Sequence, residues 1–295
     1  MPGPNDLCLC CGTVRQADFR QLVEAASANG YRAISVWPHL YLNAREQGFS
    51  DTDLRTMLRD HGLEVTELDP LCNWIPGYTM PENPTAVTPA FYDTIKRFFT
   101  YSEDLFYRMT EVLGGRHLNL VQLFPPAVET AILVDAFGGV CDRAAQHGLL
   151  VSLEFLPWCP INNLAAALEI VQGADRPNGG VMFDTWHHFR AGGTSAELRQ
   201  LSGRTIAAIQ FNDATREPTG DLFTETVTAR VLPGEGAIDL VGNIQALDAI
   251  GNTAPIGVEV FSDTLAALSP TEAARLAVEA TRRTLQAARG GVRQV

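Results

Sequence analysis

The chain carries a single lysine, Lys96, among 295 residues, and its other basic side chains are arginines. A Schiff-base aldolase needs an amine at a strand end. Lys96 instead falls in a stretch read as helical, ahead of the fourth strand, so that class is a poor fit. Positive charge is scarce throughout: the net charge is −12 and no basic stripe or block stands out. A phosphate-backbone partner rewards clustered Lys and Arg through counterion release, so no nucleic acid is expected. The same acidity, with only six histidines, argues against a DNA-repair endonuclease built on a zinc cluster.

Other absences narrow the field further. No apolar run approaches the roughly 20 residues of a membrane-spanning helix, so no membrane partner is expected. The N-terminal MPGPNDLCLCC lacks a basic n-region and a long apolar h-region, so a secretory signal is not expected and a cytoplasmic location is. The six cysteines (Cys8, Cys10, Cys11, Cys72, Cys141 and Cys159) show no framework spacing and read as reduced thiols in or near the core. Linkers, low-complexity segments and close repeats are also lacking, and residues 1–295 read as one domain.

What is present is a periodic alternation. Strand-length apolar runs occur at LCLCCGTV (7–14), YRAISVWP (31–38), LEVTELDP (63–70), HLNLVQLF (117–124), LLVSLEFLP (149–157), GGVMFDTWH (179–187), TIAAIQFND (205–213) and PIGVEVF (255–261). Amphipathic runs of helical period lie between them. One covers about Asp18 to Asn29, with Phe19, Leu22, Val23 and Ala26 on one face and Gly30 as its stop. Another follows Pro125-Pro126, with Leu133, Phe137, Val140, Cys141 and Ala144 at three- and four-residue steps. The last opens on Ser269-Pro270-Thr271-Glu272, a capping box with proline at the first helical position. Buried strands with helical crossovers imply a parallel sheet covered on both faces, and eight such units imply an α/β (β/α)8 TIM barrel. Two connections are unusually long, about Cys72 to Asn83 and about Ala214 to Gly236. Both follow a strand and precede a helix, so both are expected on the C-terminal face, where long loops shape or cover a site.

Catalytic groups of such barrels come from the C-terminal ends of several strands. Strand five supplies Glu154, strand six Asp184 with His187 just beyond, strand seven Gln210 with Asn212 and Asp213, and strand eight Glu259. Confined carboxylates repel one another, and burial raises their pKa values. A divalent cation removes that penalty. Glu154, Asp184, Gln210 and Glu259 are therefore expected as metal ligands, with His187 facing the substrate. Hard oxygen donors suit Mn²⁺ or Mg²⁺, and Co²⁺ or Zn²⁺ are admitted by the same set. Each residue also has an ordinary structural explanation: Asp184 as a helix cap, Gln210 as a satisfied core amide, Glu259 as the partner of an arginine, His188 as packing. The joint occurrence on four successive strands favours a site. Trp37 and His39 after strand two, with Trp74, Trp158 and Trp186, are candidates to line the barrel mouth. The segments DATREPTG and VFSDTLAAL lack the Gly-rich turn that grips a phosphate.

The glutamate of strand five, FDTWH of strand six, Q-x-N-D of strand seven, the R-x-x-PGEG stretch and VEVF together resemble the xylose isomerase-like TIM barrel superfamily. Within it the chain resembles the sugar phosphate isomerase/epimerase family, from GYRAISVW through VEVF. The resemblance implies that Glu154, Asp184 and Glu259 are metal carboxylates, that His187 binds substrate beside the metal, and that Arg230 contacts the substrate's polar end. Gln210 departs from the pattern, since many members carry a histidine ligand there.

The implied reaction is deprotonation next to a carbonyl, with the metal stabilising an enediolate and Glu154 and Glu259 removing and returning the proton. The expected enzyme is a metal-dependent isomerase or epimerase of a keto-sugar, cyclitol or similar hydroxy-ketone. A dehydratase or lyase, inosose- or dehydroshikimate dehydratase-like or C-glycoside-cleaving, shares the first step and stays open. A non-catalytic sugar-binding barrel stays open as well. The partner is a small polyhydroxy or cyclic substrate, and nothing in the sequence opposes a homo-oligomer.

Overall fold

A computed structural model describes residues 2–82 and 89–290. Eight strands close into one all-parallel barrel in sequential order. They are β1 (Leu7–Leu9), β2 (Ala33–Val36), β3 (Glu64–Leu71), β4 (His117–Val121), β5 (Leu150–Glu154), β6 (Gly179–Asp184), β7 (Ile206–Phe211) and β8 (Ile256–Val258). The ring closes where Leu7 of β1 pairs with Ile256 of β8. Each expected strand run coincides with one of these strands, β3 ending one residue past its run at Leu71, and the expected TIM barrel is the fold.

Helices fill the crossovers. Helix α1 (Phe19–Ala28) starts at Asp18, whose carboxylate accepts from Gln21 N while the Gln21 side chain accepts from Asp18 N. Its buried face is Phe19, Leu22, Val23, Ala25 and Ala26, and each large apolar side chain so covered contributes up to about 1.5–3 kcal/mol. Helix α2 (Thr130–Ala145) buries Leu133, Phe137, Val140, Cys141 and Ala144, the face its period predicts. Helix α3 (Thr185–Arg190) follows β6 directly, and helix α4 (Leu222–Thr228) lies inside the long 214–236 connection. Helix α5 (Pro270–Gly290) packs on α1 and closes the shell. Only half of its predicted capping box forms. Ser269 Oγ accepts from Glu272 N, while both oxygens of Glu272 are taken by Arg275.

The barrel interior departs from the branched aliphatic filling usual for this architecture. Strand residues alternate in direction, and partners in a parallel ladder point the same way. Glu67 pairs with His117, Asn119 with Ser152, Glu154 with Met182, Asp184 with Gln210, and Gln210 with Gly257. One inward face therefore runs through Glu67, Asp69, His117, Asn119, Ser152, Glu154, Asp184, Gln210 and Glu259. The opposite face carries Leu68, Leu118, Leu120, Leu153, Phe183, Phe211 and Val258, all buried in the apolar core. The hydrophobic core thus sits between sheet and helices, and the bore of the barrel is polar. The 72–83 connection ends at Asn83, which lies outside the described residues. Among the described residues no helix is long and apolar enough to cross a membrane.

Candidate metal centre and active site

Ladder register explains why side chains from separate strands converge. Glu154 is level with Met182, and Asp184 lies two residues further along β6 on the same face. Asp184 is level with Gln210. Gln210 is level with Gly257, and Glu259 lies two residues beyond it. Each residue therefore faces the bore near the C-terminal mouth.

Asp184 both caps a helix and belongs to the site. Its Oδ1 accepts from His187 N at 2.9 Å, which starts α3 and swings the His187 ring back over the barrel. Its Oδ2 accepts from Asn212 Nδ2 at 2.9 Å and from Arg230 Nη1 at 2.7 Å. Burial alone would raise this carboxyl, but the Arg230 guanidinium, His187 and Asn212 hold it below the usual carboxylate range. One ligand atom each from Glu154, Asp184 and His187 lie within 4.8 Å of one another. His187 Nε2 is 3.1 Å from Glu154 Oε1, and His187 Nδ1 has no hydrogen-bond partner.

Arg230 connects the two halves of the site. Besides Asp184, its Nη1 lies 3.3 Å from Glu259 Oε2. Its Nε donates to Thr226 O and its Nη2 to Thr226 Oγ1, and the guanidinium lies over the Phe261 ring at 5.0 Å. Gln210 occupies the other half. Its Nε2 donates to Glu67 Oε1 at 2.8 Å and to Glu259 Oε1 at 3.2 Å, and its Oε1 is buried without a partner. One ligand atom each from Cys10, Glu67 and Glu259 also lie within 4.8 Å of one another. Burial, with Asp69, Glu154 and Asp184 adding to it against Arg230, pushes the Glu259 carboxyl well above its ordinary value.

Sequence reasoning missed three inward residues. Asn119 donates from Nδ2 to Glu154 Oε2 at 2.7 Å and to Asp69 Oδ1 at 2.8 Å, and its Oδ1 accepts from Ser152 Oγ at 2.8 Å. Asp69 Oδ2 accepts from Trp37 Nε1 at 3.0 Å. Burial first, then Glu154, raises the Asp69 carboxyl to about 7. Glu67, beneath Gln210, is the third. A signal was available: Glu67-x-Asp69 and His117-x-Asn119 share the two-residue step that places Glu154 inward.

The site floors a cavity of about 750 Å³ lined by Asp69, Glu154, His187, Gln210, Arg230 and Glu259, with Trp37, His39, Phe98, Trp158, Phe223 and Phe261 on its walls. Trp37 stacks on Phe261 at 5.9 Å, and Trp158 meets the His187 ring edge-on at 5.5 Å. Burial, then Arg97, lowers the His39 imidazole to about 4. Two of the predicted mouth aromatics sit elsewhere. Trp74 donates to Val121 O inside the core, and Trp186 is fully buried with its Nε1 on Glu225. Sequence position puts both after strands, but the apolar packing beneath the mouth claims them. His188 packs against Phe183 and Phe155, as read.

The long 214–236 connection is an ordered wall. Asp213 accepts from the backbone N–H groups of Ala214, Gly234, Gly236 and Ile238, which folds the PGEG turn around its carboxylate. A Cβ at Gly236 would lie 2.3 Å from Ala214 O and from Asp213 Oδ1, so only glycine fits there. Asp213 therefore builds the loop and does not face the site.

The residues present fit a divalent cation. Glu154, Asp184 and His187 form one buried donor cluster, Glu259 with the open Gln210 oxygen lies beside it, and the Arg230 guanidinium pairs with a carboxylate of each half. Oxygen-rich donor sets of this kind suit hard cations.

The xylose isomerase-like TIM barrel family model matches residues 23–284. The chain belongs to that family. An inosose isomerase of Bacillus velezensis is 34% identical over 91% of this chain and 92% of its own length. The matches to the inosose isomerases of Bacillus subtilis and Bacillus licheniformis span about half of each relative, 53%. A 3-dehydroshikimate dehydratase of Pseudomonas aeruginosa is 28% identical over 85% of this chain and 37% of that protein. Among solved structures, the IOLI protein with a bound zinc atom shares the fold at a TM-score of 0.81 and 24% identity, covering 96% of this chain and 98% of its own.

Proposed function

We propose that this xylose isomerase-like barrel is a divalent-metal-dependent isomerase or epimerase of a cyclic polyhydroxy-ketone, of the inosose class. The observation that carries the reading is the joining of Glu154, Asp184, His187, Gln210, Arg230 and Glu259 at one polar floor beneath aromatic walls. Glu154, Asp184, Gln210 and Glu259 would hold the cation. When bound, the cation supplies Lewis-acid stabilisation of the negative charge that develops on the substrate carbonyl oxygen.

The chain's own residues do the rest. Trp37 and Trp158 cover the apolar face of the substrate ring and keep water from the floor. His187 and Arg230 offer N–H groups to substrate oxygens, and Thr226 fixes the guanidinium in plane. Glu259 removes the proton from the carbon next to the carbonyl. Glu154, held by Asn119, returns a proton from across the site.

A second reading has its own support in the dehydratase relative. Expulsion of a β-hydroxyl from the same enediolate would make the enzyme a dehydratase. The test is turnover of an inosose followed by NMR, with protein stripped by chelator and reconstituted with Mn²⁺, Mg²⁺, Co²⁺ or Zn²⁺. A metal-restored isomeric product supports the isomerase. Metal-restored loss of water with a new conjugated absorbance supports the dehydratase. Turnover indifferent to the chelator contradicts both.

A further inference from the structure

We propose that Glu67 is a positioning residue that sets which end of the Gln210 amide faces the metal-binding floor, an inference that rests on the metal reading above. A carboxylate presents an oxygen whichever way it turns. An amide does not: a half-turn exchanges an oxygen that can bind a cation for an NH₂ that cannot. A barrel that uses glutamine as a ligand therefore needs something to choose the end.

The structure supplies it below the floor. Glu67 lies on β3, across the bore from Gln210 on β7, and both are almost wholly buried. Glu67 Oε1 accepts from Gln210 Nε2 at 2.8 Å, the shorter of that nitrogen's two hydrogen bonds. Gln210 Oε1 has no protein partner, and Gln210 is among the residues lining the cavity. Turning the amide over would set its oxygen against carboxylate oxygens of Glu67 and Glu259 and leave an NH₂ at the open end. Glu67 is itself backed by His117, whose Nε2 lies 3.4 Å from Glu67 Oε2. His117, Glu67 and Gln210 thus form a line from the barrel interior to the floor. Partners that orient a metal ligand in this way are worth about 10–100-fold in metal affinity.

The experiment measures Mn²⁺ affinity by calorimetry. Wild-type protein is expected to bind and Asp184→Asn to lose binding; failure of both to differ would sink the metal reading itself. Given that difference, Glu67→Met, which keeps bulk but accepts no hydrogen bond, is expected to weaken Mn²⁺ by about 10–100-fold. Glu67→Gln, whose own amide can turn to meet either end of Gln210, is expected to lose part of that affinity, less than the Met variant. In a Gln210→Ala background Glu67→Met is expected to add nothing further. Wild-type affinity in Glu67→Met, equal losses in the Met and Gln variants, or an undiminished loss without Gln210 would each overturn the proposal. If the Met variant fails to fold, a crystal structure of the Mn²⁺-loaded wild type decides. Gln210 bound through oxygen with nitrogen on Glu67 upholds the proposal, and an amide turned from the ion overturns it.

Discussion

Arg230 donates from Nη1 to Asp184 Oδ2 at 2.7 Å, and both side chains are buried. The same nitrogen approaches Glu259, so one guanidinium compensates two buried carboxylates from different strands. Removing one partner of a buried pair leaves an uncompensated charge, which costs about 3–5 kcal/mol. Arg230→Met is therefore expected to lower the stability of chelator-treated protein by that order, measured by urea unfolding. Added Mn²⁺ should recover part of the loss. An unchanged midpoint would show that the pair is not what balances the site.

Asn119 ties Glu154 to Asp69 and, through Asp69, to Trp37 on the cavity wall. It is buried behind the cavity lining, where its amide holds the Glu154 carboxylate in place. Small misplacements of a reacting group cost up to about 10²-fold. Asn119→Ala is expected to lower kcat by about 10- to 100-fold with a smaller change in KM, in steady-state kinetics. A rise in KM alone would assign Asn119 to binding.

Much of this was legible in the sequence, for a physical reason. Glu154, Asp184, Gln210 and Glu259 interrupt apolar strands, and a polar group in such a setting has a cost that demands a use. Glu67 and Asp69 escaped notice because LEVTELDP alternates, and alternation ordinarily marks a solvent-facing strand. Here the alternate face turns into a polar bore. The Arg230–Asp184 pair spans 46 residues and exists only once the 214–236 connection has folded back over the barrel. Trp74 and Trp186 follow strands just as Trp37 and Trp158 do, and tertiary packing alone separates them.

Glu225 secures that connection. It is buried on α4 and accepts from Trp186 Nε1, Arg190 and Thr219 N. Helix α4 also carries Thr226, which holds Arg230, and Phe223, which lines the cavity. Glu225→Ala is expected to expose the 214–236 connection to limited proteolysis and to lower kcat/KM by about tenfold or more. Wild-type cleavage resistance would contradict this role.

His117 is buried beside Arg116, and burial first, then that charge, lowers its imidazole from 6.5 to about 3. The folded chain keeps this ring neutral over that interval, whereas the unfolded chain takes up a proton below 6.5. The unfolded state binds more protons there, so stability rises with pH across the interval and is lost as pH falls from about 6.5 to 3. His117→Asn is expected to make the fall shallower, seen by comparing unfolding free energies at pH 7 and pH 4.5. Parallel curves for variant and wild type would rule out this histidine as a source of acid lability.

The most direct test of the account is solvent deuterium entering an inosose at the carbon next to its carbonyl, followed by NMR in D₂O. Mn²⁺-loaded protein is expected to catalyse the exchange. Chelator should abolish it, and Glu259→Gln should slow it by about 10²- to 10⁴-fold while the protein stays folded. Substrate turnover without any deuterium at that carbon, or undiminished exchange in Glu259→Gln, would contradict proton abstraction at this site.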